Sequence, residues 1–135
     1  MNFLLDTNVC IRAMKGDKQV CDNMRRSSPD DCAVSMVSVF ELLSGVERCK
    51  DPTGEGLKVA RFLDPLHMIP FDHDSAIHTA RIRWQLEKCG QKIGPYDLQL
   101  AGQALALDLT LVTHNTREFS RVSDLKLEDW QKPSS

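Results

Sequence analysis

The chain has 135 residues, 41% of them apolar, 27% charged and 6% aromatic. A chain of this length makes one domain and buries roughly 65–70% of its unfolded surface, so it can hold a core without staples. Its 17 Lys and Arg against 19 Asp and Glu leave a formal charge of −2, which argues against a simple polybasic nucleic-acid binder but not against an enzyme with an acidic site.

The elements read as follows in chain order. Asn2-Phe3-Leu4-Leu5 reads as a short buried strand that ends at Asp6. Asp6-Thr7-Asn8 are three good N-cap types, and Val9 to Met14 reads as a helix. A second helix runs from about Lys18 to Arg26, and Cys32 to Met36 is a second strand. Ser38 to Cys49 is the clearest helix, with Val39, Leu42, Leu43 and Val46 at i, i+3, i+4 and i+7. A helix from about Glu55 to Leu63 and a minimal strand at His67 to Pro70 follow. The next helix, from Asp72 or Asp74 to Cys89, carries two apolar stripes, Ile77/Ala80/Trp84 and Ile82/Leu86/Cys89, which implies packing on two sides, partly in a subunit contact. Tyr96 to Leu107 is apolar nearly all round and is expected to be deeply buried. Leu109 to Thr113 is a fourth strand, Asn115 to Phe119 a helical turn, and Leu125 to Trp130 an edge strand before a frayed tail over about 131–135.

No apolar run nears the ~20 residues of a membrane helix. Phe3-Leu4-Leu5 meets a charge too early for a signal-peptide core. A cytoplasmic protein without membrane attachment is the expectation. The cysteines at 10, 21, 32, 49 and 89 are odd in number and include no C-x-x-C pair, so free, mostly buried thiols are expected.

Short apolar strands alternating with helices predict an α/β fold: a mainly parallel sheet of four to five strands with helices on both faces. Ligands in such sheets bind beyond the carboxyl ends of the strands. The acids sit there. Asp6 ends the first strand, Glu41 lies on the first turn of the helix after the second, Asp97 opens the buried helix before the fourth, and Glu118 follows it with Thr113 and Asn115. Each acid also has a plain structural reading. Asp6 and Asp97 read as N-caps, Ser38-x-x-Glu41 matches a capping box, and Glu118 reads as a solvated acid. Their joint placement favours a site. Two carboxylates ~4 Å apart repel by ~4 kcal/mol at an effective dielectric of ~20. Four ionised acids in one pocket therefore predict one or two divalent cations of the oxygen-preferring kind, Mg²⁺ or Mn²⁺.

Four stretches resemble the motifs of PIN-domain ribonucleases, in order along nearly the whole chain. They are Leu4-Leu5-Asp6-Thr7-Asn8, then Ser35 and Ser38 with Phe40-Glu41-Leu42-Leu43-Ser44-Gly45, then Ile93-Gly94-Pro95-Tyr96-Asp97-Leu98-Gln99-Leu100-Ala101-Gly102, and finally Leu111-Val112-Thr113-His114-Asn115-Thr116-Arg117-Glu118-Phe119. Size and motif wording are most similar to VapC toxins of bacterial type II toxin–antitoxin pairs. The resemblance implies a PIN-like three-layer fold and metal-dependent hydrolysis of structured RNA, commonly tRNA. It implies Asp6, Glu41, Asp97 and Glu118 as the catalytic, metal-holding acids. The family often carries Asp at the position of Glu118, so direct ligation by this longer side chain is left open. Thr7, Asn8, Ser38, Thr113 and Asn115 would support the acids. It further implies a homodimer, silencing by a VapB-like antitoxin, and operator DNA binding only through the antitoxin complex.

Arg117 and His114 flank the fourth motif and are candidate phosphate contacts, as is Arg81, which shares a helix face with Lys88 beside Trp84. Trp84 itself reads as a core or dimer residue. His67, His73 and His78 read as surface residues. No nucleophile elbow, P-loop or dinucleotide fingerprint is present. Two other functions stay open: a PIN-like module that binds nucleic acid or a partner without cutting, and a divalent-metal phosphatase. Against the latter, Asp6-Thr7-Asn8 lacks the second Asp of a D-x-D phosphatase motif.

Overall fold

The computed structural model describes residues 1–132. Five strands, β1 (Phe3–Leu5), β2 (Cys32–Ser35), β3 (His67–Ile69), β4 (Thr110–Val112) and β5 (Leu127–Glu128), form one sheet in the order β3-β2-β1-β4-β5. Every pairing is parallel. Parallel neighbours need crossover connections, supplied by α1 (Thr7–Met14), α2 (Lys18–Ser27), α3 (Met36–Arg48), α4 (Pro52–Leu63), α5 (His73–Lys88), α6 (Pro95–Leu107) and the short α7 (Thr116–Phe119). The tail expected over 131–135 is described only to Lys132. There Gln131 is tied down, its amide donating to Asp129 Oδ1 at 2.9 Å.

Strand periodicity builds the two cores. Leu4 stands beside Ala33 and Leu111, and Leu5 beside Val34 and Val112. Successive side chains point to opposite faces. Leu4, Ala33 and Leu111 therefore join Ile82, Leu86, Leu100, Ala104 and Phe119, under α5, α6 and α7. Leu5, Val34 and Val112 join Val9, Val20, Val39, Leu42, Val59 and Leu63, under α1 to α4. The result is three layers, as expected. Asp residues cap four of the helices: Asp6, Asp17, Asp51 and Asp72 accept amide bonds at the starts of α1, α2, α4 and α5.

Three expectations change. The second strand stops at Ser35, whose hydroxyl caps α3 by accepting from the Val37 amide, so that helix begins two residues earlier than Ser38. On α5 only Ile82 and Leu86 reach the core. Ala80, Trp84 and Cys89 face outward, and Trp84 is 60% exposed with the Lys88 ammonium 5.7 Å from its ring centre. Trp84 is thus no core residue of the single chain. On α6 burial is confined to the middle, Leu100 to Ala104, while Tyr96 and Leu107 are exposed. The reason is that α6 packs chiefly against one neighbour, α5. The approach is so close that a Cβ on Gly102 would stand 1.8 Å from Thr79 Oγ1 and 3.0 Å from its Cα.

The strand order also fixes where a site can form. The chain steps outward from β1 to β2 to β3, then returns to the other side of β1 for β4. The crevice between the carboxyl ends of β1 and β4 is the topological switch point, where sheets of this kind bind ligands. Asp6 and Thr113 are the residues that follow those two strands.

Candidate active site

Asp6 is held by the backbone on both sides. Its amide continues the sheet ladder, donating to the Val112 carbonyl at 3.0 Å, and its carboxylate accepts from the Val9 amide at 2.8 Å. It is a helix cap, as the structural reading held, and it is also 6% exposed at the switch point. The two roles coexist because a helix N-terminus favours a negative charge. Burial raises the pKa of this carboxyl. The Thr113 hydroxyl and the Val9 amide oppose that by favouring the anion, and Glu41 adds to the rise.

Glu41 is not in a capping box. Because α3 starts at Met36, Ser38 and Glu41 lie inside the helix and Ser35 takes the cap. Ser38 is fully buried, and Thr7 Oγ1 lies 2.9 Å from its hydroxyl and 2.6 Å from Glu41 Oε1. Thr7 has one proton to give. The carboxylate can only accept, so Thr7 donates to Glu41 and Ser38 donates to Thr7. This chain of hydroxyls fixes the second acid against the first motif.

Asp97 is not a cap either. Gly94 occupies that position with no side-chain bond, and Asp97 lies in the first turn of α6. Its carboxyl is pushed up to about 6, first by burial, then by the charges of Glu118, Asp6 and Glu41. That list unites the four acids, since each of the other three acts on Asp97. Glu118, in α7, is half-buried and accepts from Asn115 Nδ2 at 2.7 Å, while the Asn115 amide donates to Thr113 Oγ1 at 3.0 Å. Thr113 is completely buried. Asn8 is exposed on the first turn of α1.

The remaining candidates are spread out. His114 Nδ1 lies 3.0 Å from Asp129 Oδ2, a pairing the sequence did not reveal because fifteen positions separate the two. Arg117 is exposed on α7, and Arg81 is exposed on α5. His67 is exposed beside Asp30, at 3.2 Å, and His73 is exposed too. His78 is half-buried and bonds the Asp74 carbonyl of its own helix. Arg12 and Lys15, which no sequence motif singles out, line one groove with Asp6, His114 and Asn115. Their spacing of three on a helix following the first motif was the available signal.

The donor set suits a hard divalent cation. Four carboxylates share one field, and none of them takes part in an ion pair among the described residues. Mutual repulsion of this kind is relieved by an oxygen-preferring ion. Among the described residues no three His, Cys, Asp or Glu side chains stand together in an arrangement that could hold a metal ion. Hydrogen bonds hold Glu41 to Thr7 and Glu118 to Asn115 instead.

Comparison with known proteins identifies the family. The PIN domain family pattern matches residues 3–125. The tRNA(fMet)-specific endonuclease VapC of Salmonella typhimurium is 34% identical over 130 residues, covering 96% of this chain and 98% of that protein. Ribonuclease VapC2 of Rickettsia felis is 34% identical over 134 residues, covering 98% of this chain and all of that one, at 100%. A chain in the crystal structure of DNA-bound VapBC from Salmonella typhimurium superposes with a TM-score of 0.91 at 34% identity, over 96% of this chain and 98% of that chain. With the family pattern, the full-length likeness and the fold in agreement, the chain belongs to the PIN-domain family, and within it to the VapC ribonucleases.

Proposed function

We propose that the chain is an Mg²⁺- or Mn²⁺-dependent endoribonuclease that cleaves structured RNA of the tRNA class. The observation that carries this reading is the grouping of Asp6, Glu41, Asp97 and Glu118 at one end of a parallel sheet, each acting on the acidity of Asp97 and none neutralised by a protein cation. Bound at these acids, one or two divalent ions would supply activated water and neutralise charge at the phosphodiester. The chain's part is to hold the carboxylates. The β1–β4 switch point and the α1 cap anchor Asp6. The Ser38–Thr7 chain orients Glu41, and Asn115 orients Glu118. No side-chain nucleophile is required. The tRNA class is supported by the Salmonella relative, which is named for tRNA(fMet).

The biological setting follows from the same likeness. Toxin chains of this shape crystallise in VapBC complexes on DNA. We infer that a VapB-like antitoxin silences this chain in the cytoplasm and carries the pair to operator DNA. No helix among the described residues is long and apolar enough to cross a membrane. A homodimer is supported by the large apolar side chains left exposed on α3 and α5, namely Met36, Phe40, Leu43 and Trp84.

The test is cleavage of an initiator-tRNA transcript by the purified chain with Mg²⁺, with Mn²⁺ and with a chelator. Metal-dependent cuts that vanish in Asp6→Asn and Asp97→Asn are expected. Cleavage surviving either substitution would refute the assignment. Hydrolysis of a small phosphate ester without RNA cleavage would point to a phosphatase, and no metal binding by calorimetry to a non-catalytic module.

A further inference from the structure

A groove of about 830 Å³ runs from Asp6 along α1, and its cationic side chains have no part in the reaction described above. Arg12 of α1 and Lys15, which ends that helix, line it together with Asp17, His114, Asn115 and Gln131. Arg12 and Lys15 are three positions apart, which puts them on one face of the helix, and both are exposed. Lys15 enters no ion pair among the described residues. Arg12 has only Asp17, at 3.5 Å, with the Arg side chain 55% exposed; such a pair is worth little and yields readily to a better anion.

The chemistry of the walls selects the occupant. Ile11 is the one large apolar side chain among the described residues lining this groove. A peptide needs apolar pockets for its anchors, and these walls lack them. They offer a guanidinium, an ammonium, an imidazole and three carboxamides beside the carboxylates of Asp6 and Asp17. Asp6 belongs to the acid cluster and Asp17 caps α2, and the remaining polar groups suit the repeated phosphates of a nucleic-acid backbone. The groove along α5 and α6 is the contrast. Phe71, Trp84, Ile93 and Leu98 line it, and its Arg83 is committed to Glu87 at 3.0 Å. We infer that the groove beside Asp6 binds the sugar–phosphate backbone of the RNA strand flanking the cut. Arg12 and Lys15 contact its phosphates, and Asp17 competes with the RNA for Arg12. This rests on the ribonuclease reading above.

The test uses the full chain carrying Asp97→Asn, so that RNA stays intact, and a fluorescein-labelled initiator-tRNA transcript titrated over a range of salt. Arg12→Gln and Lys15→Gln are each expected to weaken binding about 3- to 10-fold, and each to flatten the plot of log Kd against log salt by about 0.7–0.9. Asp17→Asn keeps the α2 cap, since Asn caps as well as Asp, and is expected to tighten binding. Lys126→Gln removes a cation paired with Asp108 at the far end of the sheet and is expected to change neither affinity nor slope. In the cleaving chain, Arg12→Gln and Lys15→Gln are expected to raise KM at constant kcat. Unchanged salt slopes and KM in both variants would overturn the groove while leaving the nuclease in place. So would variants that lose the antitoxin but keep the RNA, which would make this a protein-docking surface. A chain that neither binds nor cuts the transcript or total cellular RNA would overturn the nuclease reading and this inference with it.

Discussion

Replacing Asp97 by Asn is expected to stabilise the metal-free protein while abolishing cleavage. An acid whose pKa is higher folded than unfolded binds more protons in the folded state between those two values, so stability falls as pH rises through that window. For Asp97 the window runs from its ordinary 3.8 to about 6, and the cause is burial followed by the charges of Glu118, Asp6 and Glu41. No hydrogen bond is among the influences on it. Below the window the carboxyl is neutral in both states and costs nothing. Above it the full cost is present. At about 1.4 kcal/mol per tenfold change in acidity, that cost is at most about 3 kcal/mol. Solvent screening of a half-buried group reduces it to about 1–2 kcal/mol. Asn also gives up the favourable interaction of a charge with the start of α6, about 0.3–1 kcal/mol.

The net expectation is a gain of about 1 kcal/mol at pH 7, equivalent to a rise of about 0.3–1 M in the urea midpoint. The assay is urea unfolding of both chains in chelator at pH 7 and again at pH 4, where the gap should close. Adding Mg²⁺ at pH 7 should narrow the gap by stabilising the wild type, since a ligand of the folded state alone raises stability. An Asn variant less stable at pH 7, or a gap equal at both pH values, would refute the claim that the four acids share one field.

Three further outcomes follow from individual contacts. Thr7→Val removes the donor to Glu41, a bond to a charged group worth about 1.5–3 kcal/mol. Single-turnover cleavage should slow by about 10- to 100-fold, and Thr7→Ser should restore most of it. Asp6→Asn and Asp6→Ala should both be inactive, but only Ala forfeits the α1 cap. Thermal melts should place Ala below Asn by about 1 kcal/mol. Among the cysteines, Cys89 is exposed, whereas Cys10 is fully buried and its thiol is pushed up by that burial, and buried Cys32 is pushed up to about 11. A thiol reagent should therefore modify Cys89 first and reach Cys10 and Cys32 only on unfolding.

Local chemistry explains what could be read from the chain. Phe3 to Leu5, Cys32 to Ser35 and Thr110 to Val112 are short apolar runs bounded by polar residues, and Asp6, Asp17, Asp51 and Asp72 mark helix starts through bonds that span three residues. Such signals need no distant partner. The Ser38-x-x-Glu41 spacing misled for the same reason. It satisfies a local capping rule, but Ser35 reaches the free amide first, and Glu41 is left to meet Thr7, 34 positions away. The outward turn of Trp84 was equally hidden, because two apolar stripes on one helix do not say which one the neighbouring α6 will cover.

The amino-acid sequence by itself determined the alternation of strands and helices, the parallel sheet and the four acids in order, since each depends on neighbours along the chain. Tertiary structure alone decided that those acids act on one another and what holds each of them. It also decided that Arg12 and Lys15 share a groove with His114 and Gln131. The strand order β3-β2-β1-β4-β5 is the physical reason. By returning the chain to the far side of β1, it brings β4 against β1 and so sets Thr113 and Asn115 beside Asp6. The formal charge of −2 is thus divided in space, with carboxylates gathered at the switch point and cations along the groove next to it.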